Sequence, residues 1–155
     1  METFSKTFEY KQEFKKELFF LKKLSKYNNF PKIIKISKME IEMSFCGNNF
    51  IEPDNIKDWK QQIKKILSIL QKEKIYHNDM HQNNFLCKGK KIFLIDFALS
   101  SLNKEKKPYN NIDCKDIEKY EKFSELIKAT NCKSKIKENR ELGNRKSKTF
   151  KKRAN

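Results

Sequence analysis

Glycine is scarce in this chain. There are three in 155 residues, Gly47, Gly89 and Gly143, where average usage of roughly 7% would give about eleven. Phosphate loops of the G-x-G-x-x-G or Walker kind need clustered glycines, so both are excluded. No stretch approaches the ~18 apolar residues that cross a bilayer, so no membrane association is expected. The first residues, METFSKTFEYK, carry no apolar run after their charges, and no signal peptide is expected. The four cysteines, at 46, 87, 114 and 132, form no C-x-x-C pair. Reduced thiols in a cytoplasmic compartment follow as the expectation. Arginine is scarce too: only Arg140, Arg145 and Arg153 stand among 36 basic residues. The net charge of +16 is therefore almost wholly lysine, which lacks the planar fork used for bidentate reading of bases.

What remains can fold. The chain is 37% hydrophobic and 12% aromatic, with thirteen phenylalanines, enough for one domain with a moderate core. Residues 8–27 are expected to be helical, with Phe14, Leu18, Leu21 and Leu24 on one stripe. Asn28, Asn29 and Pro31 end that helix. Lys32 to Phe45 reads as two short strands around Ser37–Lys38. A second helix is expected over 55–74, capped by Asp54 and buried through Ile56, Trp59, Ile63, Ile66, Leu67 and Leu70. Phe85–Cys87 and Ile92–Asp96 read as a hairpin across Lys88-Gly89-Lys90. A third helix is expected from Asp113 or Asp116, using Ile117, Tyr120, Leu126 and Ile127. Residues 133–155 hold ten basic and two acidic residues, a net +8, and read as a mobile basic tail.

The chemistry concentrates between Ile75 and Ser100. His77 precedes Asp79 by two residues, Asn84 follows five later, and the hairpin delivers Asp96 at the end of an apolar strand. Phosphoryl transfer needs such a set. A carboxylate positions the attacking hydroxyl and takes its proton, which suits Asp79. Oxygen ligands hold the Mg²⁺ that bridges ATP phosphates, which suits Asn84 and Asp96. His77 and His81 are spaced i,i+4, but the segment is a loop without H-E-x-x-H, which argues against zinc.

His77-Asn78-Asp79-Met80-His81-Gln82-Asn83-Asn84 resembles the H-x-D-x-x-x-x-N catalytic loop of the protein-kinase-like superfamily, and Asp96-Phe97-Ala98 resembles its D-F-G motif. The resemblance covers about Glu13 to Ile127. It implies an α+β, reduced protein-kinase-like fold with a minimal N-lobe (about 1–47) and a short helical C-lobe (about 48–132). It also implies roles. His77 braces the loop. Glu17 is the C-helix glutamate that pairs with a strand lysine, for which Lys6 is the candidate. Met43 is the gatekeeper, and Ser44, Phe45 and Cys46 form the hinge that receives adenine. Asp113 or Asp116 anchors the catalytic loop, or simply caps a helix. ATP and Mg²⁺ are the implied cofactors.

The departures narrow the reading. Twelve residues precede Glu13, too few for two strands and a loop. Ala98 replaces glycine in D-F-G, where a positive φ would cost energy. Asp96 to Asp116 leaves little activation segment. His81 stands where Ser/Thr protein kinases carry lysine, and D-x-H-x-x-N is similar to aminoglycoside- and choline-kinase-like enzymes. Ile95-Asp96-Phe97-Ala98-Leu99-Ser100 is similar to the I-D-F-G-L-S of the small atypical kinase of the tRNA-threonylcarbamoyl complex. Compact kinase-like proteins of large DNA viruses look comparable, which for a viral chain would mean the host cytoplasm. The expected function is transfer of the ATP γ-phosphate to a hydroxyl, of a protein Ser/Thr in preference to a small molecule. The alternatives are a pseudokinase serving as a nucleotide-binding or docking module, and a small-molecule or nucleic-acid-associated kinase. The tail offers a contact for an acidic partner or nucleic acid.

Overall fold

A computed structural model describes residues 1–49, 55–104 and 110–133. The chain opens with β1 (Thr3–Thr7), α1 (Lys11–Lys23), β2 (Ile33–Ser37) and β3 (Glu40–Ser44). The three strands form one antiparallel sheet in the order β1-β3-β2. Register sets Lys6 opposite Ile41 and Phe4 opposite Met43. Because side chains alternate along a strand, these four share a face. Ile41 and Met43 are buried there with Phe20, Leu21 and Leu24 from α1 and its C-terminal end.

The second half begins with β4 (Asn48–Asn49), then α2 (Trp59–Lys72), a short 3-10 turn (Gln82–Asn84), β5 (Phe85–Lys88) and β6 (Lys91–Leu94). β4, β5 and β6 make a second antiparallel sheet in that order. Between the sheets, Gly47 has φ 100°, and a Cβ there would lie 2.0 Å from the Cys87 carbonyl oxygen. Only glycine lets the chain cross the hairpin this closely. α2 buries Trp59, Ile63, Ile66, Leu67, Ile69 and Leu70. It packs on β6 and on a 3-10 segment, Cys114–Lys119. Residues 123–133 form α3, whose Phe123 sets its ring edge-on to Trp59 (5.7 Å) and Phe85 (5.1 Å). No described helix is long and apolar enough to cross a membrane.

Several boundaries differ from the sequence expectation. α1 covers Lys11–Lys23 rather than 8–27, because the Phe8 N–H is committed to the Met39 carbonyl (2.8 Å), which holds the chain extended. α2 starts at Trp59 rather than 55, and the expected cap, Asp54, lies outside the described residues. β6 stops at Leu94, and the Ile95 N–H turns instead to the Asn84 carbonyl (2.9 Å). The expected third helix splits in two, with Tyr120 extended between the 3-10 segment and α3. No alternation marks β1, since four of its five residues are exposed; only the resemblance, through Lys6 as the candidate strand lysine, implies a strand there. The basic tail beyond residue 133 also lies outside the described residues.

Candidate active site

β1 brings Lys6 to α1 and to the segment after β6. Its Nζ lies 2.9 Å from Asp96 Oδ1 and 3.6 Å from Glu17 Oε2. Glu17 is 1% exposed. Its Oε2 accepts the Phe97 backbone N–H at 2.6 Å. Burial pushes the Glu17 carboxyl up to about 7, against the pull of Lys6. One lysine, one buried glutamate and one aspartate thus meet from three separate stretches of chain.

The turn at Asp96 depends on a left-handed residue. Asp96 has φ 66°, and Ala98 is absent from the described residues with positive φ. The cost expected at Ala98 therefore does not arise. The strain falls on an aspartate, a type that tolerates this region. The Asp96 Oδ1 also accepts the Ala98 N–H (3.4 Å). Phe97 is fully buried, edge-on to Phe30 (5.8 Å) and to His77 (4.9 Å).

His77 is fully buried. Its Nε2–H donates to the Ile95 carbonyl (2.9 Å), and its Nδ1 accepts the Asp79 N–H (3.2 Å). Both ring nitrogens are used, so the ring is neutral, and burial holds its pKa below the usual histidine value. Asn84 Nδ2 donates to the Asp79 carbonyl (2.7 Å) and to Asp79 Oδ2 (3.1 Å). Asp79 Oδ1 contacts His81 Nε2. The loop thus carries Asp79 with both carboxylate oxygens partnered.

At the hinge, two expected adenine contacts are already engaged. The Ser44 N–H donates to the Lys32 carbonyl (2.8 Å) and the Phe45 N–H to the Glu2 carbonyl (3.1 Å). Neither amide is available to a base in this arrangement. Ser44 Oγ accepts the Lys32 N–H (2.9 Å). Met43 and Cys46 are buried, and burial pushes the Cys46 thiol up to about 11. All four cysteines are free thiols.

Asp113 and Asp116 do not anchor the loop. Asp113 caps its own 3-10 turn by accepting the Lys115 N–H (3.1 Å). Asp116 binds Lys119 and Lys133 (2.8 Å each), which holds its carboxyl down to about 2. Asn110 and Asn111 take the anchoring position instead. The Asn78 N–H donates to Asn111 Oδ1 (2.8 Å), and Asn111 Nδ2 returns a bond to Asn78 Oδ1 (2.9 Å). The Met80 N–H reaches the Asn110 carbonyl (2.9 Å). Asn78, with φ 71°, also ties to the Leu99 carbonyl and Ser101 Oγ (3.0 Å each). Sequence reasoning missed these asparagines. An Asn-Asn pair after a polar segment has no signature of its own.

Among the described residues no cluster of three or more His, Cys, Asp or Glu could cage a metal. A magnesium ion shared with nucleotide phosphates needs only one or two protein oxygens. The site fits that demand. Among the described residues both hydrogen bonds to Asp96 fall on Oδ1 and the Asn84 amide nitrogen is turned to Asp79, which leaves the second Asp96 oxygen and the Asn84 amide oxygen as the atoms that would meet a hard cation.

A family model for the RIO domain matches residues 3–139. The chain belongs to the RIO domain family. No curated protein matches it. RIO domains are atypical members of the protein-kinase-like superfamily, an ATP-binding phosphotransferase family, and the small sheets and few helices here form a reduced α+β version of that fold. The RIO match begins at residue 3 and so takes in β1, the strand that carries Lys6.

Proposed function

We propose that this RIO domain is an active phosphotransferase that moves the ATP γ-phosphate to a hydroxyl, with a protein serine or threonine as the acceptor. The observation that carries this reading is the meeting of Lys6, Glu17 and Asp96 beside a loop that presents Asp79 and Asn84 together. Lys6, backed by Glu17, binds phosphate oxygens. Asn84 and Asp96 hold Mg²⁺, which neutralises phosphate charge when bound. Cys46 is the hinge residue left to meet the base, since the amides of Ser44 and Phe45 serve the sheet. Asp79 accepts the proton that the acceptor hydroxyl loses as its oxygen bonds to phosphorus and the bond to departing ADP breaks.

Two measurements test this. Calorimetric titration with Mg-ATP is expected to show binding that Asp96→Ala abolishes. Transfer of labelled phosphate to casein is expected in the wild type and absent in Asp79→Asn, with Mg-ATP binding retained. Tight Mg-ATP binding without transfer in the wild type would overturn the catalytic reading and leave a nucleotide-binding pseudokinase.

A further inference from the structure

His81 has no part in the roles above, yet it touches the residue at their centre. Its Nε2 contacts Asp79 Oδ1. Its Nδ1 faces the Asn110 side-chain nitrogen at 3.1 Å. In this arrangement the amide nitrogen donates and Nδ1 presents its lone pair. The Nε2 proton then points at the carboxylate. Asn110 is fixed in turn. Its backbone bridges the strand-like stretch at Asp79, its N–H donates to the Asn78 carbonyl (3.2 Å), and its carbonyl accepts the Met80 N–H (2.9 Å). Its side-chain oxygen is buried with no hydrogen-bond partner among the described residues.

We propose that Asn110 and His81 are positioning residues for the transfer step, a hydrogen-bonded chain that fixes the tautomer of His81 and, through it, the orientation of the Asp79 carboxylate toward the acceptor hydroxyl. Asn84 holds the other oxygen of the same group, so the carboxylate is clamped from both sides. The logic is that of a base oriented by a second side chain, which is itself oriented by a third. It also accounts for a histidine at this place. A lysine ammonium has three rotating donors and no acceptor, so it offers nothing to the Asn110 side-chain nitrogen that meets His81. The inference rests on the phosphotransferase reading for its catalytic consequence, while the clamp itself is a property of the folded chain.

The test therefore has two arms, both on the full chain. In the first, nitrogen-detected NMR of the labelled imidazole is expected to show His81 as the Nε2–H tautomer, and Asn110→Ala is expected to give a tautomer mixture. An Nδ1–H tautomer in the wild type, or one unchanged by Asn110→Ala, would overturn the clamp whether or not the protein transfers phosphate. In the second, casein phosphorylation is followed with Mg-ATP. His81→Leu is expected to lower kcat about tenfold or more, the scale set by a misplaced reacting group, with KM for ATP and the melting temperature unchanged. His81→Gln keeps a donor near the Nε2 position and is expected to recover part of the loss. Equal kcat in wild type and His81→Leu would overturn the positioning role. Absence of transfer in the wild type itself would instead overturn the phosphotransferase reading, and the NMR arm would still decide the clamp.

Discussion

Glu17 titrates near 7 because burial outweighs the attraction of Lys6, and that shift has a consequence for stability. Between the ordinary value of 4.5 and about 7 the folded chain keeps a proton that the unfolded chain has lost. This contribution is fully present below pH 4.5 and is lost as pH rises through 7, by a total of about 3 kcal/mol. His77 works the other way. Its folded pKa lies below the ordinary 6.5, so it penalises folding as pH falls below that value. The two partly cancel in the wild type. The difference between Glu17→Gln and the wild type isolates the glutamate. Urea melts at pH 5, 6 and 7.5 are expected to show the variant gaining on the wild type as pH rises, and a gap that stays constant with pH would contradict the assignment. The same residue shows what a sequence can reveal. Glu17 falls three after Phe14 and four before Leu21, an acidic side chain inside an apolar stripe, and such a position must find partners once buried. Asp79, Asn84 and Asp96 were legible for another reason, since a loop and a tight hairpin place them by short-range spacing. Asn110 was not, because its partner His81 lies 29 residues away and no periodic element joins them.

At the scale of elements, the amphipathic segments were the readable ones. α2 buries the stripe that its sequence announces. β1 carries no periodic signal, because an exposed edge strand needs no apolar alternation; its one half-buried side chain is Lys6, which only the family resemblance singles out. The junction between β3 and β4 gives a direct test of close backbone approach. At Gly47 both the positive φ and the 2.0 Å approach to Cys87 forbid a Cβ. At Gly89 the φ is 62° but nothing lies within 4 Å. Gly89→Ala is expected to cost about 1 kcal/mol, the penalty of a left-handed alanine alone. Gly47→Ala adds a steric clash with backbone and is expected to cost about 3 kcal/mol or more. Denaturant melts of the two variants side by side check the order, and equal losses would show that the chain crosses the hairpin with room to spare. Asp116 ties the 3-10 segment to α3 through Lys133. Because its carboxyl is held down to about 2, that support is present above the ordinary 3.8 and fades only as pH falls toward 2. Asp116→Asn is therefore expected to lose stability at pH 7 and converge on the wild type near pH 2.

Across the whole molecule, two fully buried phenylalanines do different jobs. Phe123 lies inside the second half, edge-on to Trp59 and Phe85. Phe97 stands between the halves. It meets Phe30 from the stretch before β2 and His77 from the loop that runs to Asn84, and its N–H is the one that Glu17 accepts. Packing at Phe97 therefore sets how α1 faces the loop, and with it the distances among Lys6, Glu17 and Asp96. The tripeptide is legible in the sequence, but its place between the two halves is not, since the described rings that touch it, Phe30 and His77, come from distant segments. Replacing either phenylalanine by leucine removes ring area from a dry core and is expected to cost about 1–2 kcal/mol. The functional outcomes should part. Phe123→Leu leaves the two-sided geometry intact and is expected to bind Mg-ATP as the wild type does. Phe97→Leu loosens the joint and is expected to weaken Mg-ATP binding about tenfold at equal loss of stability. Calorimetry under conditions where both variants are folded reads this directly. Equal affinities for the two variants would mean that the nucleotide site tolerates movement between its halves, and that Lys6 finds its partners without the Phe97 joint.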